Sequence, residues 1–341
     1  MYHIDIVPKT LHFKRPAGTS RGTYRIRRVW YLRLTSDECP GRCGIGECAP
    51  LPALSCDDLP CFEDILKECC VHFERNGIID EEALRPYPSI LFGLETALLH
   101  YERETYAFWD TAFSRGESGI PINGLIWMGD YVTMLEQIEN KMQAGFRCIK
   151  LKIGAIDFEE ELALLKYIRS RFSAKEVELR VDANGAFKPK EAMEKLSRLA
   201  EMDLHSIEQP IRAGEWDEMA HLASLSPLPI ALDEELIGVN DLSKKERLLD
   251  VIRPQYIVLK PSLHGGMHGT AEWVHLADER QIGWWITSAL ESNVGLNAIA
   301  QLCATFNNPR PQGLGTGALF TDNVEMPLEI RKDSLWFVAQ Q

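Results

Sequence analysis

A chain of 341 residues, 45% hydrophobic and 26% charged, has the composition of a folded globular protein with ample length for a sizeable core. Its 37 basic and 50 acidic residues leave a formal charge of −13, which argues against a nucleic-acid footprint. No segment approaches the roughly 18 consecutive apolar residues of a membrane span, and the opening MYHIDIVPKT lacks the basic-then-apolar order of a signal peptide. Cys39, Cys43 and Cys48 are closely spaced, but without the two-residue knuckle of a structural zinc site. An odd count of nine cysteines without export fits reduced thiols and a cytoplasmic location.

The first hundred residues read as a small α+β domain, assigned to residues 1–110. Tyr24 and Ile26, then Trp30, Leu32 and Leu34, alternate with the period of half-buried strands. Gly41, Gly44 and Gly46 punctuate a turn before Leu51. Leu59, Phe62, Leu66 and Phe73 then follow a helical spacing that stops near Gly77. A second helix starts near Ser89 and carries Leu91, Leu94, Leu98 and Leu99.

From about Pro121 short apolar runs alternate with amphipathic helices. The runs are Ile122 to Met128, Cys148 to Ile153, Glu178 to Val181, Ile230 to Leu232, Tyr256 to Leu259 and Trp284 to Ile286. One helix spans Phe158 to Arg171, with Asp157 as N-cap and Glu160 three residues on. Lys152, Asp182, Glu208, Asp233, Lys260, Ser288 and Gly313 each close a candidate strand, at separations of 25 to 30 residues. Each interval holds one strand, one helix and two short loops. Counting Ile122 to Met128 as the first strand gives an α/β fold with a closed (β/α)8-type TIM barrel over residues 111–315. A final segment, 316–341, is expected to return to the first domain, which would act as a cap.

In such a barrel, chemistry sits where the strands end and the loops converge. A lone Asp at a strand end is more often the N-cap of the next helix, and a lone Lys there a solvated charge. Three acids on consecutive strands, bracketed by Lys150 and Lys152 on one side and Lys260 on the other, are improbable as decoration. Asp182, Glu208 and Asp233 form an all-oxygen donor set suited to Mg²⁺, with Mn²⁺ as a substitute. A hard cation on a substrate carboxylate absorbs the charge that develops when a neighbouring proton leaves. A lysine close to such a cation can serve as the base.

The motifs Lys150-Leu151-Lys152, Val181-Asp182-Ala183-Asn184, Ile207-Glu208-Gln209-Pro210, Leu232-Asp233-Glu234 and Leu259-Lys260-Pro261 resemble those of the enolase superfamily, in its muconate-lactonising subgroup. The resemblance runs over essentially the whole chain. It implies metal ligands Asp182, Glu208 and Asp233, an acid/base at Lys152, and Lys260 on the opposite face of a small carboxylate substrate. Asn184 and Glu234 would neighbour the metal site, and the glycine-rich loop from Gly44 to Leu51 would close over the substrate. His264 and His268 fall past the Lys260 strand end and are assigned to a loop.

Within the subgroup, Ser288-Ala289-Leu290-Glu291-Ser292 resembles the o-succinylbenzoate synthases, which dehydrate a succinylated cyclohexadiene carboxylate in menaquinone biosynthesis. The stretch Gly313-Leu314-Gly315 offers backbone N–H groups rather than an Asp-x-Asp, which suits an anionic tail; with Ser288 it is the expected substrate wall. An N-acylamino acid racemase or a dipeptide epimerase with the same lysines is the alternative.

Overall fold

The structure is a computed structural model that describes residues 1–19 and 22–338. Strands β1 (Tyr2–Thr19), β2 (Gly22–Ser36) and β3 (Gly44–Cys48) form an antiparallel sheet. Helices α1 (Phe62–Asn76), α2 (Glu81–Leu84) and α3 (Pro88–Arg103) follow, and α1 stops at Gly77, whose φ of 69° supplies the left-handed C-cap. Trp30, Leu32 and Leu34 of β2, Leu66 and Phe73 of α1, and Leu91 and Leu94 of α3 share one apolar core. Leu59 falls outside α1 and is partly exposed, because the helix begins only at Phe62.

The segment expected as a closing loop is mostly strand β3. Its glycines have a packing reason: a β-carbon on Gly46 would stand 1.9 Å from the Gly93 carbonyl oxygen, and one on Gly44 2.0 Å from that of Ala97. Helix α3 therefore lies directly on the β3 backbone, and glycine at 44 and 46 permits the approach.

After β4 (Ile120–Pro121) come β5 (Gly124–Ile126), α4 (Tyr131–Gln143), β6 (Cys148–Lys152) and α5 (Phe158–Arg171). Next are β7 (Glu178–Asp182), α6 (Pro189–Ala200), β8 (Ser206–Glu208), α7 (Trp216–Leu225) and β9 (Ile230–Leu232). The series ends with α8 (Leu242–Ile252), β10 (Tyr256–Leu259), α9 (Gly266–Glu279), β11 (Gly283–Ile286) and α10 (Asn293–Thr305). Strands β5 to β11 pair in chain order as one curled parallel sheet, and the largest apolar core lies between this sheet and its helices. The fold is thus α/β, and among the described residues no helix is long and apolar enough to cross a membrane.

The first and eighth strands are shorter than expected. The run from Ile122 contributes only Gly124–Ile126, and the eighth is reduced to bridges of Gln312 to Ile122 and of Gly313 to Thr287. Asp157 caps α5 by accepting from the Glu159 N–H at 2.9 Å, while the Glu161 carboxylate accepts from the Gly154 N–H. In the last segment the Thr321 N–H bonds to the His12 carbonyl on β1, whereas β12 (Leu328–Arg331) pairs with β13 (Ser334–Phe337), which in turn pairs with β4. All nine cysteines are free thiols.

Acidic side chains seat the first sheet and helices on the second unit. Glu47 of β3 accepts from the Ser292 and Gly295 N–H groups at the start of α10. Glu95 of α3 accepts from the Met267 and His268 N–H groups at the start of α9. Both helix N-termini offer unpaired N–H groups that a carboxyl oxygen can accept from, which offsets part of the cost of burying the acid.

A Gly46→Ala substitution must displace helix backbone, and it is expected to destabilise the fold by about 1–3 kcal/mol in denaturant unfolding. Burial pushes the Glu95 carboxyl up to about 8 from its ordinary 4.5, and its two N–H donors only partly offset this. The native chain then holds a proton that the unfolded chain has released, so stability contributed by this group falls as pH rises from about 4.5 through about 8. Thermal midpoints measured between pH 5 and 8 are expected to fall less steeply in Glu95→Gln than in the unaltered chain.

Candidate active site

Parallel strands in register bring the polar strand ends together. Lys152 lies beside Asp182, and Asp182 beside Glu208, as direct neighbours across β6, β7 and β8. Asp233 and Lys260 each immediately follow the next strands, β9 and β10. Lys150, Lys152, Asp182, Glu208, Asp233 and Lys260 all line one cavity of about 150 Å³.

Every charge in this group is paired. The Lys150 ammonium donates to Glu208 Oε2 at 2.6 Å and stands 3.0 Å from Asp182 Oδ2. Lys152 Nζ donates to Asp182 Oδ2 at 3.1 Å and to Asn184 Oδ1 at 2.8 Å. Lys260 donates to Asp233. Burial opposes the Asp182 charge, but Lys150 and Lys152 outweigh it and hold the carboxyl below its usual range. Burial and the nearby Asp182 charge push Glu208 the other way. Burial would also discharge Lys150, yet Asp182, Glu208 and Asp233 keep it an ammonium.

The neighbours are ordered too. Asn184 sits at φ 44°, its N–H on Asp182 Oδ1 and its side-chain amide on Glu234 Oε1. Burial and the Asp233 charge raise Glu234 to about 7. Gln209, at φ 40°, accepts from the Asp233 and Glu235 N–H groups and donates to the Glu235 carboxylate at 3.0 Å. Backbone strain at both residues is consistent with a built site.

The expected metal cluster is present only as its donors. Among the described residues no three His, Cys, Asp or Glu side chains are drawn together as a ready cation site; the acids are bonded to lysines instead. The donor set nevertheless fits a hard divalent cation. It is all oxygen, on three adjacent strands, and the buried Glu208 Oε1 has no hydrogen-bond partner.

The expected substrate wall needs correction at two residues. Ser288, Gly313 and Gly315 line the cavity, but Leu314 is fully buried in the apolar core. The Gly313 N–H is already bonded to the Ile286 carbonyl at 2.8 Å, because this residue continues the sheet beyond β11. It therefore has no N–H to offer an anion. Ser288 Oγ donates to Glu291 at 2.6 Å. His264 is buried in the turn after β10 and accepts from the Lys260 N–H, while His268 belongs to α9 and pairs with Glu81 and Glu272.

Other lining residues escaped the sequence reading. Asn123, Leu125 and Trp127 face the cavity from the first strand region, and their alternation was a usable signal. Leu51, the end of the segment expected to close over the substrate, does line the cavity, whereas Tyr24, Leu54 and Leu319 arrive from segments distant in sequence that carry no local signal for it. Trp285 also lines the cavity, with the Arg180 guanidinium 4.2 Å from its ring centre.

Gln209→Leu would strand the buried Asp233 and Glu235 N–H groups and remove the amide donor to Glu235 Oε2 and the Ile211 carbonyl. It is expected to cost about 3 kcal/mol in chemical denaturation.

The Enolase C-terminal domain-like family model matches residues 133–337. The chain is 46% identical to the o-succinylbenzoate synthase of Desulfotalea psychrophila strain LSv54, over 94% of this chain and 95% of that protein. The crystal structure of MenC from the same organism superposes with a TM-score of 0.83 at 41% identity, covering 98% of this chain and 99% of that one. A muconate lactonizing enzyme from Pseudomonas fluorescens, complexed with muconolactone, shares the fold with a TM-score of 0.80 at 21% identity, covering 99% and 94%. On this sequence and structural likeness, the chain belongs to the enolase superfamily, in its muconate-lactonising subgroup.

Proposed function

We propose that this chain is an o-succinylbenzoate synthase, a Mg²⁺-dependent hydro-lyase of menaquinone biosynthesis. The observation that carries the chemistry is one cavity holding Lys152 at the end of β6 and Lys260 just past β10, with three carboxylates from the ends of the strands between. The 46% identity to a synthase supports the choice of reaction.

Asp182, Glu208 and Asp233 would hold Mg²⁺, or Mn²⁺ in its place, supplying a Lewis acid for the substrate carboxylate. Lys152 takes the proton α to the ring carboxylate, and the electrons of that C–H bond move toward the carboxylate. The Lys152 ammonium then returns the proton to the departing hydroxyl on the same face. The C–O bond breaks, water leaves, the ring becomes aromatic and Lys152 is neutral again. Asn184 Oδ1 orients Lys152 Nζ before the transfer. Lys260 keeps its ammonium, because the Asp233 and Glu234 charges outweigh burial, and so stabilises developing negative charge from across the cavity. Lys150 holds Asp182 and Glu208 in place.

The same reading assigns residues 1–110 to a cap, 111–315 to a catalytic (β/α)8 barrel and 316–341 to a segment returning to the cap. Bonds from Gln312 and Gly313 to both edges of the parallel sheet support a closed barrel. The substrate is a small dicarboxylate, no nucleic acid or membrane takes part, and the enzyme works in the cytoplasm.

A second reading rests on the same two lysines, which could relay a proton through a planar intermediate as a racemase or epimerase does. An ultraviolet assay of o-succinylbenzoate formation tests the first. Turnover is expected to disappear in EDTA and return with Mg²⁺, and to fall at least about 10³-fold in Lys152→Ala with the fold retained. Full activity in chelator would refute the metal assignment. Exchange and inversion of N-succinyl amino acids in D₂O, without dehydration, would favour the second reading.

A further inference from the structure

Arg27 lies within β2 and is 1% exposed, yet among the described residues it forms no salt bridge. Its hydrogen bonds go to four main-chain carbonyls. Nη1 donates to Pro50 O at 2.6 Å and Nη2 to Ala49 O. Nε donates to Leu290 O at 3.1 Å, and Nη2 reaches Ala289 O at 3.5 Å. These carbonyls belong to two separate walls of the cavity. Ala49 and Pro50 lead into Leu51, which lines it from the segment after β3, while Ala289 and Leu290 line it beyond β11.

Leu290 sits at φ 65°, a left-handed conformation that a bulky residue adopts only when its surroundings impose it. Its N–H bonds to Ser288 Oγ at 3.0 Å and its carbonyl to Arg27, so both sides of the strained residue are held. Tyr24, also on β2, lines the cavity and donates to the Pro52 carbonyl at 3.0 Å. One strand of the first sheet therefore grips both walls.

We propose that Arg27 is a positioning residue for substrate binding, which fixes the spacing of the two cavity walls by clamping the Ala49–Pro50 and Ala289–Leu290 carbonyls. The inference rests on the dehydratase reading of the cavity. Arg27 acts through Leu51 and Leu290 and does not touch the substrate. Arginine is specifically required. Its planar fork spreads five donors over several acceptors, whereas a lysine presents three from a single point.

The test uses the intact chain and the o-succinylbenzoate assay. Arg27→Lys is expected to raise KM about tenfold with kcat changed by less than about twofold, the mark of lost binding rather than lost chemistry. Glycine adopts positive φ without strain. In a Leu290→Gly background, measured as its own baseline, Arg27→Lys should therefore raise KM by only about twofold. An unchanged KM, a fall in kcat alone, or an equally large KM effect in the glycine background overturns the proposal. A measurement on the unaltered chain needs neither a folded variant nor an active enzyme. Peptides covering residues 49–55 and 287–292 should exchange amide hydrogens as slowly as β6 to β9, and fast exchange in either also overturns it. Absence of dehydration by the unaltered chain would sink the dehydratase reading, while the exchange measurement still scores the clamp.

Discussion

Three lysines and three carboxylates, all largely buried, share one cavity at the ends of five neighbouring strands. A buried charge costs several kcal/mol unless an opposite charge and hydrogen bonds meet it. That requirement reaches back into the fold. Asp182 must stand beside Lys152 and Glu208, and a one-residue slip of β7 would turn its carboxylate to the outer face of the sheet. The outer face is apolar and packed with helices, so the charge pattern and the core select the same register.

The first sheet and its helices are positioned by buried polar groups as well, chiefly through hydrogen bonds. Glu47 and Glu95 are buried carboxylates seated on the starts of α10 and α9, the two helices that flank β11 in sequence. Arg85 adds a bridge to Glu272 of α9, which also holds the buried Lys245. The lining contributed by Leu51 and Leu54 is thus carried by a unit anchored at several points around the sheet, not by a loop lying loosely over it.

The sequence made the parallel part of the fold legible because its signals are local and repeated. A short apolar run, a polar terminus and an amphipathic helix recur with nearly constant spacing, and β6, β7, β9, β10 and β11 fall where those runs lie. The charged strand ends were legible for the same reason. Gly44 and Gly46 misled because glycine serves turns and close packing alike, and only the position of α3 decides between them. The Gly313 N–H looked available because hydrogen bonding to Ile286 depends on a strand 25 or so residues away. Arg27 carried no mark at all: among several arginines of β2, only the three-dimensional placement of four carbonyls distinguishes it.

The two-residue seam at Gln312 and Gly313 bears on how this pocket can change over evolutionary time. A β-carbon on Gly313 would fall 2.1 Å from Thr287 Oγ1, so the seam admits no side chain there without rearrangement. Gln312 is itself fully buried, its amide tied to Ile286 N and Arg310 O. This stretch of wall is therefore nearly closed to point mutation. Variation in pocket shape has to enter through Leu51, Leu54, Leu319 and the first-strand residues Leu125 and Trp127. Changes in pocket shape can then arise without disturbing the paired charges at the strand ends.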